Sequence, residues 1–243
     1  MSAPRRVLLE PAWLLHHRPW SDTSRILDLM TRSHGRVTLF ARGARRPGSA
    51  LRGVLQPFVP LLISWTGRAD GGTLTGAEIH GALRPLPPAQ LMSGFYLNEL
   101  LLRLLPREDR HERLFDAYAE AITQLAGATG HRPLRVFELV LLEELGYGLE
   151  LARDAASGEP LEPDRYYHFQ PGRGVLAVRD AASEPDAIRG GDVLAVSCGE
   201  FDQPAALAAA RQILRAAIAH CLEGRGLHSR EVMLALRQRE QGA

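Results

Sequence analysis

The chain has 243 residues, of which 45% are hydrophobic and 23% charged, and its 29 arginines and 28 acids leave a net charge of +1. This balance excludes a disordered polyelectrolyte and is typical of a globular protein with one large domain or two modest ones. No apolar run reaches the length of about 18 residues that a membrane span needs. Two cysteines 23 positions apart, Cys198 and Cys221, support neither a disulfide framework nor a zinc knuckle.

The first 83 residues alternate short apolar segments with turn residues. Runs with the period of two, or with the β-branched and aromatic content, that is typical of strands cover residues 6–16, 24–31, 35–41, 57–67 and 71–83. Five strands at such short spacing predict a small antiparallel barrel or sandwich.

The segment between the third and fourth predicted strands, ARGARRPGSALRG, concentrates positive charge on a flexible backbone. It contains Arg42, Arg45, Arg46 and Arg52 and no acid, and Arg36 lies on the strand before it. A small barrel with such a loop has the architecture of an OB-type nucleic-acid binder. We therefore predict that these five arginines bind the phosphates of a nucleic acid.

The distribution of charge along the chain supports a polyanionic ligand for this first part. Residues 1–80 hold eleven arginines and five acids, a net charge of +6, whereas the other 163 residues hold eighteen arginines and twenty-three acids, a net charge of −5. A solvated basic face is the alternative interpretation of the same asymmetry.

Aromatic side chains are the second feature that binds single strands, because bases stack on them. The barrel sequence offers Trp13, Trp20, Phe40, Phe58 and Trp65, but burial in the core is the commoner fate of each. Phosphate contacts are therefore expected to dominate, so that binding ignores the base sequence and weakens steeply with salt.

A proline-rich stretch at Pro85, Pro87 and Pro88 marks the predicted boundary between a first domain, residues 1–83, and a second, residues 84–243. After it the apolar period changes to that of helices. Helices are predicted at residues 88–105, 110–126, 133–145 and 204–222 and after Ser229, and a two-stranded ribbon at 166–169 and 174–178. The predicted fold class is thus α+β, with a barrel followed by a mainly helical domain.

No pattern in the sequence predicts an enzyme site. The nine histidines show no HxxxH or HExxH spacing, and no GxSxG, phosphate-binding loop or GxGxxG is present. Glu143 and Glu144 are adjacent and would point about 100° apart on a helix, which disfavours a carboxylate pair. We expect no catalytic residue, no cofactor and no dependence on ATP.

Several segments in fixed order resemble the bacterial recombination and repair mediators of the RecO family. They are HHRPWSDTSRILDLMTRSHGRVTLFARGARR, GVLQPFVPLLISW, FYLNELLLRLL, RVFELVLLEELGYG and LHSREVM, and they extend over roughly residues 13–236. The resemblance implies an OB-fold barrel followed by a helical domain, and a protein that is not an enzyme.

The same resemblance implies the function and the partners. Members of the family bind single- and double-stranded DNA and anneal complementary strands. With the partner RecR they load the recombinase RecA onto DNA coated by single-strand-binding protein. The expected location is the cytoplasm, at the nucleoid during repair. An interaction scaffold of the same pathway, whose barrel binds protein and not DNA, is the alternative.

Many relatives carry a zinc module of two CxxC pairs in the region that corresponds to residues 149–182. Here Asp154 and Ser157 stand at the first pair, and Ala177 and Asp180 stand about where the second would be. No thiolate remains, so we predict no metal. Packing of Tyr166, Tyr167 and Phe169 is expected to close this region instead.

The resemblance also implies that the acidic, aromatic-ended tail of single-strand-binding protein docks on the helical domain. Such a tail requires a cation beside an apolar pocket. Arg135 matches a basic position of the family and is the first candidate, followed by Arg103 and Arg107. The alternative for each is a surface arginine that packs its aliphatic stem.

Overall fold

The computed structural model describes residues 6–127, 130–179, 184–229, 231–233 and 235. The chain forms two compact units, one of Met1–Thr129 with Leu227–Ala243 and the other of Gly130–Gly226. The first two long helices group with the barrel in the first of these units.

The five predicted strands are present and close into a barrel. Their bounds are β1 (Arg6–Pro19), β2 (Arg25–Thr31), β3 (Gly35–Ala41), β4 (Pro60–Thr66) and β5 (Asp70–Ile79). Neighbouring strands follow the order β1-β2-β3-β5-β4, in which β3 and β5 pair in parallel and all other pairs are antiparallel. This closed five-stranded arrangement confirms the OB-fold that we expected.

The strands point alternate residues into the barrel, as a period of two requires. Leu27 and Leu29 of β2 and Leu39 of β3 face inward and are completely buried. Trp65 of β4 fills the same core at 1% exposure. The barrel interior is therefore filled by side chains, and the outer face and the loops are the surfaces open to a ligand.

Four residues form a row across the outer surface of the barrel, at the end where the chain leaves β3 and enters the arginine-rich segment that follows it. Arg18 pairs with Ile26, Ile26 with Phe40, and Phe40 with Thr73, so that the row crosses β1, β2, β3 and β5. Directly paired residues point to the same face of a sheet. Arg18 is exposed and Phe40 half-buried, whereas Ile26 is buried beneath them.

Two helices pack on the barrel within the first unit. A 3-10 turn, Pro88–Gln90, leads into α2 (Leu91–Leu104), and α3 (Glu112–Gly127) follows; a one-turn helix, α1 (Leu51–Val54), lies in the loop after β3. The side chain of Asn98 donates to the Leu15 carbonyl at 2.9 Å and accepts from the Tyr118 hydroxyl at 2.5 Å. Burial raises the pKa of Tyr118, which therefore remains a donor.

The second unit combines helices with a small sheet. Its elements are α4 (Arg132–Glu144), β6 (Tyr166–Gln170), β7 (Gly174–Ala177), β8 (Ile188–Arg189), α5 (Gly190–Ser197) and α6 (Pro204–Cys221). The predicted ribbon is confirmed as β6 and β7, and β8 extends it to a three-stranded sheet. Helix α5 was not predicted, because its opening glycines resemble a turn.

The predicted last helix starts at His228 and continues through the described residues 231–233 and 235. The segment from Leu227 onward belongs to the first unit and not to the second. No helix in the described ranges has both the length and the hydropathy that crossing a membrane requires.

Candidate nucleic-acid interface

The loop between β3 and β4, residues 42–52, is called the cationic loop below. Its backbone makes successive tight turns, with Gly43 and Gly48 at φ values of 69° and 80°, where glycine avoids the steric penalty of a side chain. Arg42, Arg46 and Arg52 are exposed. None of them pairs with an acid in the described part of the chain, so three guanidinium groups remain available to an external anion.

Arg45 makes contacts within the barrel that Arg42, Arg46 and Arg52 do not make, and its binding of DNA stays a prediction. Its backbone N–H donates to the carbonyl of Thr23 at 2.9 Å, and its guanidinium donates to the carbonyl of Ser21 at 2.8 Å. Residues 20–24, which connect β1 and β2, are called the β1–β2 turn. Arg45 therefore attaches the cationic loop to this turn and holds the two segments together.

An exposed aromatic pair lies where these segments meet. Trp20, the first residue of the β1–β2 turn, contacts Phe40 edge-to-face with ring centroids 5.3 Å apart. Trp20 is 63% exposed, whereas Trp13, Phe58 and Trp65 are all below 9%. The expectation that most of the barrel aromatics are core residues holds for these three, whereas Phe40 is half-buried and Trp20 is the most exposed of the five.

Three residues of this surface, Arg18, Trp20 and Phe40, were not among the predicted site residues. Arg18 lies on the outer row, exposed and without an acidic partner among the described residues, two positions before Trp20. Strand parity alone would place Arg18 on the same side as the core residues Ala12 and Leu14, and the register shift between Leu14 and His16 turns it to the outer face. The local sequence pattern therefore offered no signal for Arg18. We call Arg18, Trp20, Phe40 and the cationic loop the basic-aromatic surface.

Acids are few beside the basic-aromatic surface. Asp22 is exposed in the β1–β2 turn. Asp28 lies one row further along the barrel, where its carboxylate accepts from Thr38 at 2.9 Å and lies 3.8 Å from His16.

Burial lowers the pKa of His17, and the positive charge of Arg25 lowers it further. This histidine therefore adds little cationic charge near neutral pH.

Arg36 is held inside the first unit and differs from the loop arginines. Its side chain is half-buried, and one terminal nitrogen donates to the carbonyl of Leu102 at 2.8 Å. Its Nε is buried without a hydrogen-bond partner among the described residues. Burial lowers the pKa of Arg36, with a smaller contribution from the charge of Arg107. The structure thus gives Arg36 a structural contact with α2, and its binding of DNA stays a prediction.

The candidates for docking a partner's acidic tail are all paired with carboxylates. Arg103 donates to Glu99 at 3.0 Å, and Arg107 donates to both oxygens of Asp70 at 3.0 and 3.1 Å. Arg135 and Glu138 form an ion pair of 2.7 Å inside the second unit, where their side chains are 9% and 0% exposed. An incoming carboxylate would have to compete with these internal acids.

The region that corresponds to the zinc module is closed by a carboxylate and by aromatic packing. Asp154 is buried, and its oxygens accept from the N–H groups of Ala156 at 2.8 Å and Ala177 at 3.2 Å. Tyr167 and Phe169 are buried as expected, but Tyr166 is 41% exposed.

The residues at the four zinc-module positions do not fit a zinc ion. Asp154 uses both of its carboxylate oxygens on backbone groups, Ser157 and Ala177 offer no thiolate, and Asp180 lies outside the described residues. No three His, Cys, Asp or Glu side chains come together as a metal site in the ranges described.

Comparisons with known proteins cover both parts of the chain. The protein-family model for the N-terminal part of recombination protein O matches residues 6–83, and the family model for its C-terminal part matches residues 88–231. The DNA repair protein RecO of Azoarcus sp. (strain BH72) is 43% identical over 240 residues, which cover 97% of this chain and 99% of the relative. The DNA repair protein RecO of Thiobacillus denitrificans is 45% identical over 247 residues, which cover 97% and 95%. That of Methylococcus capsulatus is 45% identical over 230 residues, which cover 94% of each.

Proposed function

Because the chain belongs to the RecO family of DNA repair proteins, we propose that it is a recombination mediator without catalytic activity of its own. In this proposal it binds single- and double-stranded DNA without reading the sequence and anneals complementary strands. Together with RecR it helps to load RecA onto DNA coated by single-strand-binding protein, and it acts in the cytoplasm at the nucleoid.

The observation that carries the DNA-binding part is the set of free guanidinium groups on the cationic loop. Arg42, Arg46 and Arg52 are exposed without acidic partners in the described residues, and Arg45 attaches their loop to the barrel. A guanidinium can grip phosphate with two parallel hydrogen bonds. Phosphates are common to all DNA, so such contacts favour binding that is independent of sequence and of strandedness.

Charge at the level of the compact units is consistent with the proposal. The first unit holds 19 arginines and 13 acids, a net charge of +6, and the second holds 10 and 15, a net charge of −5. A cationic unit attracts DNA over roughly a Debye length of about 10 Å at 0.1 M salt. The acidic unit is better suited to protein contacts than to a polyanion.

The test replaces Arg42, Arg46 and Arg52 together by alanine and measures binding of a single strand and a duplex by fluorescence anisotropy across a salt series. Each lost phosphate contact removes about 0.7 from the slope of log K against log salt for a single strand. We expect the slope to fall by about 2 and the affinity near 0.1 M salt to fall at least about tenfold. Annealing of complementary oligonucleotides should decline in parallel.

The matched control replaces Arg173, Arg211 and Arg215, which are exposed on the second unit, by alanine. This control also removes three positive charges, so an effect that depends only on the net charge of the protein would appear in both variants. Unchanged affinity and slope in the cationic-loop variant would refute the site. Weak DNA binding that is insensitive to salt in the unaltered protein would favour the alternative of an interaction scaffold.

We also propose that the tail of single-strand-binding protein docks through one of the predicted arginines. Arg103 and Arg107 are the more accessible, with side chains 35% and 46% exposed against 9% for Arg135. Calorimetry with a tail peptide on Arg103→Ala, Arg107→Ala and Arg135→Ala decides among them. An unaltered dissociation constant removes the arginine in question from the proposal.

A further inference from the structure

We propose that the indole of Trp20 stacks on unpaired bases, so that the basic-aromatic surface distinguishes single strands from duplexes. This inference rests on the proposed function, because it takes the cationic loop as the phosphate-binding part of the same surface. It goes beyond that function, since phosphate contacts alone do not discriminate between the two forms of DNA.

The exposure of Trp20 is the first observation. A large apolar ring that is 63% exposed forgoes most of the stabilisation that burial would provide. Trp13 and Trp65 of the same barrel are at 6% and 1%, so the fold has buried its tryptophans where they serve the core. An exposed indole beside unpaired cations is the combination that binds single-stranded nucleic acid.

The second observation is that the position of Trp20 is constrained although its ring is exposed. Its backbone N–H donates to the carbonyl of Ser24 at 3.1 Å, which closes the β1–β2 turn. Arg45 holds the turn through the carbonyls of Ser21 and Thr23. The ring itself rests edge-to-face on Phe40. A ring that is already ordered loses little conformational entropy when a base stacks on it.

Phe40 supports Trp20 and is itself supported. It stands at the outer end of β3, paired with Ile26 on one side and Thr73 on the other. A Cβ added at Gly71 would lie 3.9 Å from its ring, in ordinary contact, so the backbone of β5 borders Phe40 closely. Phe40 thus stands on a strand of the barrel and supports Trp20 in the adjoining turn, which keeps the geometry of the pair defined.

The charges that surround Trp20 identify the ligand as a nucleic acid and not a protein helix or a neutral ligand. Arg18 precedes it by two positions, and the cationic loop with Arg42 and Arg46 is attached to its turn by Arg45. Asp22 is the single acid of the β1–β2 turn. A ligand that brings both a flat apolar face and closely spaced anions matches this surface, and an unpaired nucleotide has both.

Strandedness follows from which parts of DNA are accessible. In a duplex both faces of each base are covered by neighbouring base pairs, whereas its phosphates remain open to the guanidinium groups. In a single strand the bases can turn out and stack on an aromatic ring. Trp20 therefore adds affinity only for the single strand, while the cationic loop serves both forms.

The experiment compares binding affinities with and without the indole, and with and without the bases, so that the contribution of indole–base stacking is isolated. Binding of a thymidine oligonucleotide, an abasic oligonucleotide of equal length and charge, and a duplex is measured for the full chain and for Trp20→Ala. We expect Trp20→Ala to weaken thymidine binding about ten- to hundredfold. Binding of the abasic strand and of the duplex should change less than about twofold, and the salt slope should stay the same.

Two further variants separate stacking from structural damage. Trp20→Phe keeps a ring and should recover most of the thymidine affinity, and Tyr147→Ala removes an exposed ring of the second unit and should have no effect. An equal loss on the thymidine and abasic strands, or no loss on either, would overturn the role of Trp20. Failure of the proposed function looks different, because the cationic-loop variant would then leave all three ligands bound as before.

Discussion

Ser229 donates two hydrogen bonds to one carboxylate oxygen of Glu99, 130 positions earlier in the chain, with its backbone nitrogen at 2.8 Å and its hydroxyl at 2.6 Å. The other oxygen accepts from the N–H of His228 at 2.8 Å and from Arg103 at 3.0 Å. Glu99 of α2 therefore caps the start of the C-terminal helix by accepting from the N–H groups of His228 and Ser229. Free N–H groups at a helix start favour a carboxylate.

We predict that Glu99→Gln releases the C-terminal helix from the first unit. Losing the charged acceptor should lower the local stability there by about 1–3 kcal/mol. Faster hydrogen exchange at the amides of His228 and Ser229, with the barrel amides unchanged, would demonstrate it. Ser229→Ala removes only the hydroxyl bond and should have a smaller effect.

The Glu99 cap should also be sensitive to acid. Burial alone would raise the pKa of Glu99, but the hydrogen bonds from Ser229 and His228 and the charge of Arg103 lower it overall from 4.5. The lowered folded pKa means that the stabilisation is complete above pH 4.5 and is lost as the pH falls through the folded value. Exchange at His228 in Glu99→Gln should not show this acid step, and a step of equal size would contradict the assignment.

Arg45 should affect DNA binding by ordering the loop and not by holding a phosphate. Its guanidinium is already engaged by the Ser21 carbonyl. We expect Arg45→Ala to weaken DNA binding while the salt slope stays constant, whereas Arg42→Ala lowers the slope for a single strand by about 0.7. Equal decreases in slope for the two variants would show that Arg45 contacts phosphate directly.

Arg36 should contribute to stability more than to binding. Arg36→Ala leaves the Leu102 carbonyl without its donor and exposes the side-chain contacts of β3 with α2, which should cost about 1–3 kcal/mol. Urea unfolding followed by tryptophan fluorescence measures this, because Trp13 and Trp65 are buried in the first unit. A loss of DNA affinity in a variant of unchanged stability would instead support the predicted binding role.

The buried ion pair of α4 gives a contrast between single and double replacement. Arg135→Ala leaves the buried carboxylate of Glu138 without the guanidinium 2.7 Å away, and we expect a loss of about 3–5 kcal/mol. Replacing the pair together, by Arg135→Met and Glu138→Leu, should recover a substantial part of it. The thermal midpoints of the three proteins test this, and equal midpoints for the single and double variants would contradict it.

Asp154 should be the main support of the region that corresponds to the zinc module in the resemblance. Asp154→Ala leaves the N–H groups of Ala156 and Ala177 without their acceptor inside the second unit and should destabilise it by about 1–3 kcal/mol. Ser157→Ala is the control, because that hydroxyl is exposed and accepts one long bond of 3.3 Å from Glu159. Similar midpoints for both variants would show that aromatic packing alone closes the region.

Much of the fold followed from local patterns, and the departures have local causes. The fourth strand begins at Pro60 and not at 57, because Phe58 has a φ of 65°, which lies outside the β region. The third strand and the helices end within a residue or two of the predicted positions. Helix α5 escaped notice because two glycines open it and its eight residues are too few for a clear period.

The sequence by itself determined the barrel, the helices and the accumulation of positive charge between β3 and β4, since hydrophobic periods and loop composition are properties of neighbouring residues. Only the tertiary structure decided which arginines remain free. Arg45 is engaged 24 residues away, Arg36 is engaged 66 residues away, and Arg42, Arg46 and Arg52 are left to solvent. Such hydrogen bonds join residues that are far apart in the chain, so the periodicity of neighbouring residues cannot predict them.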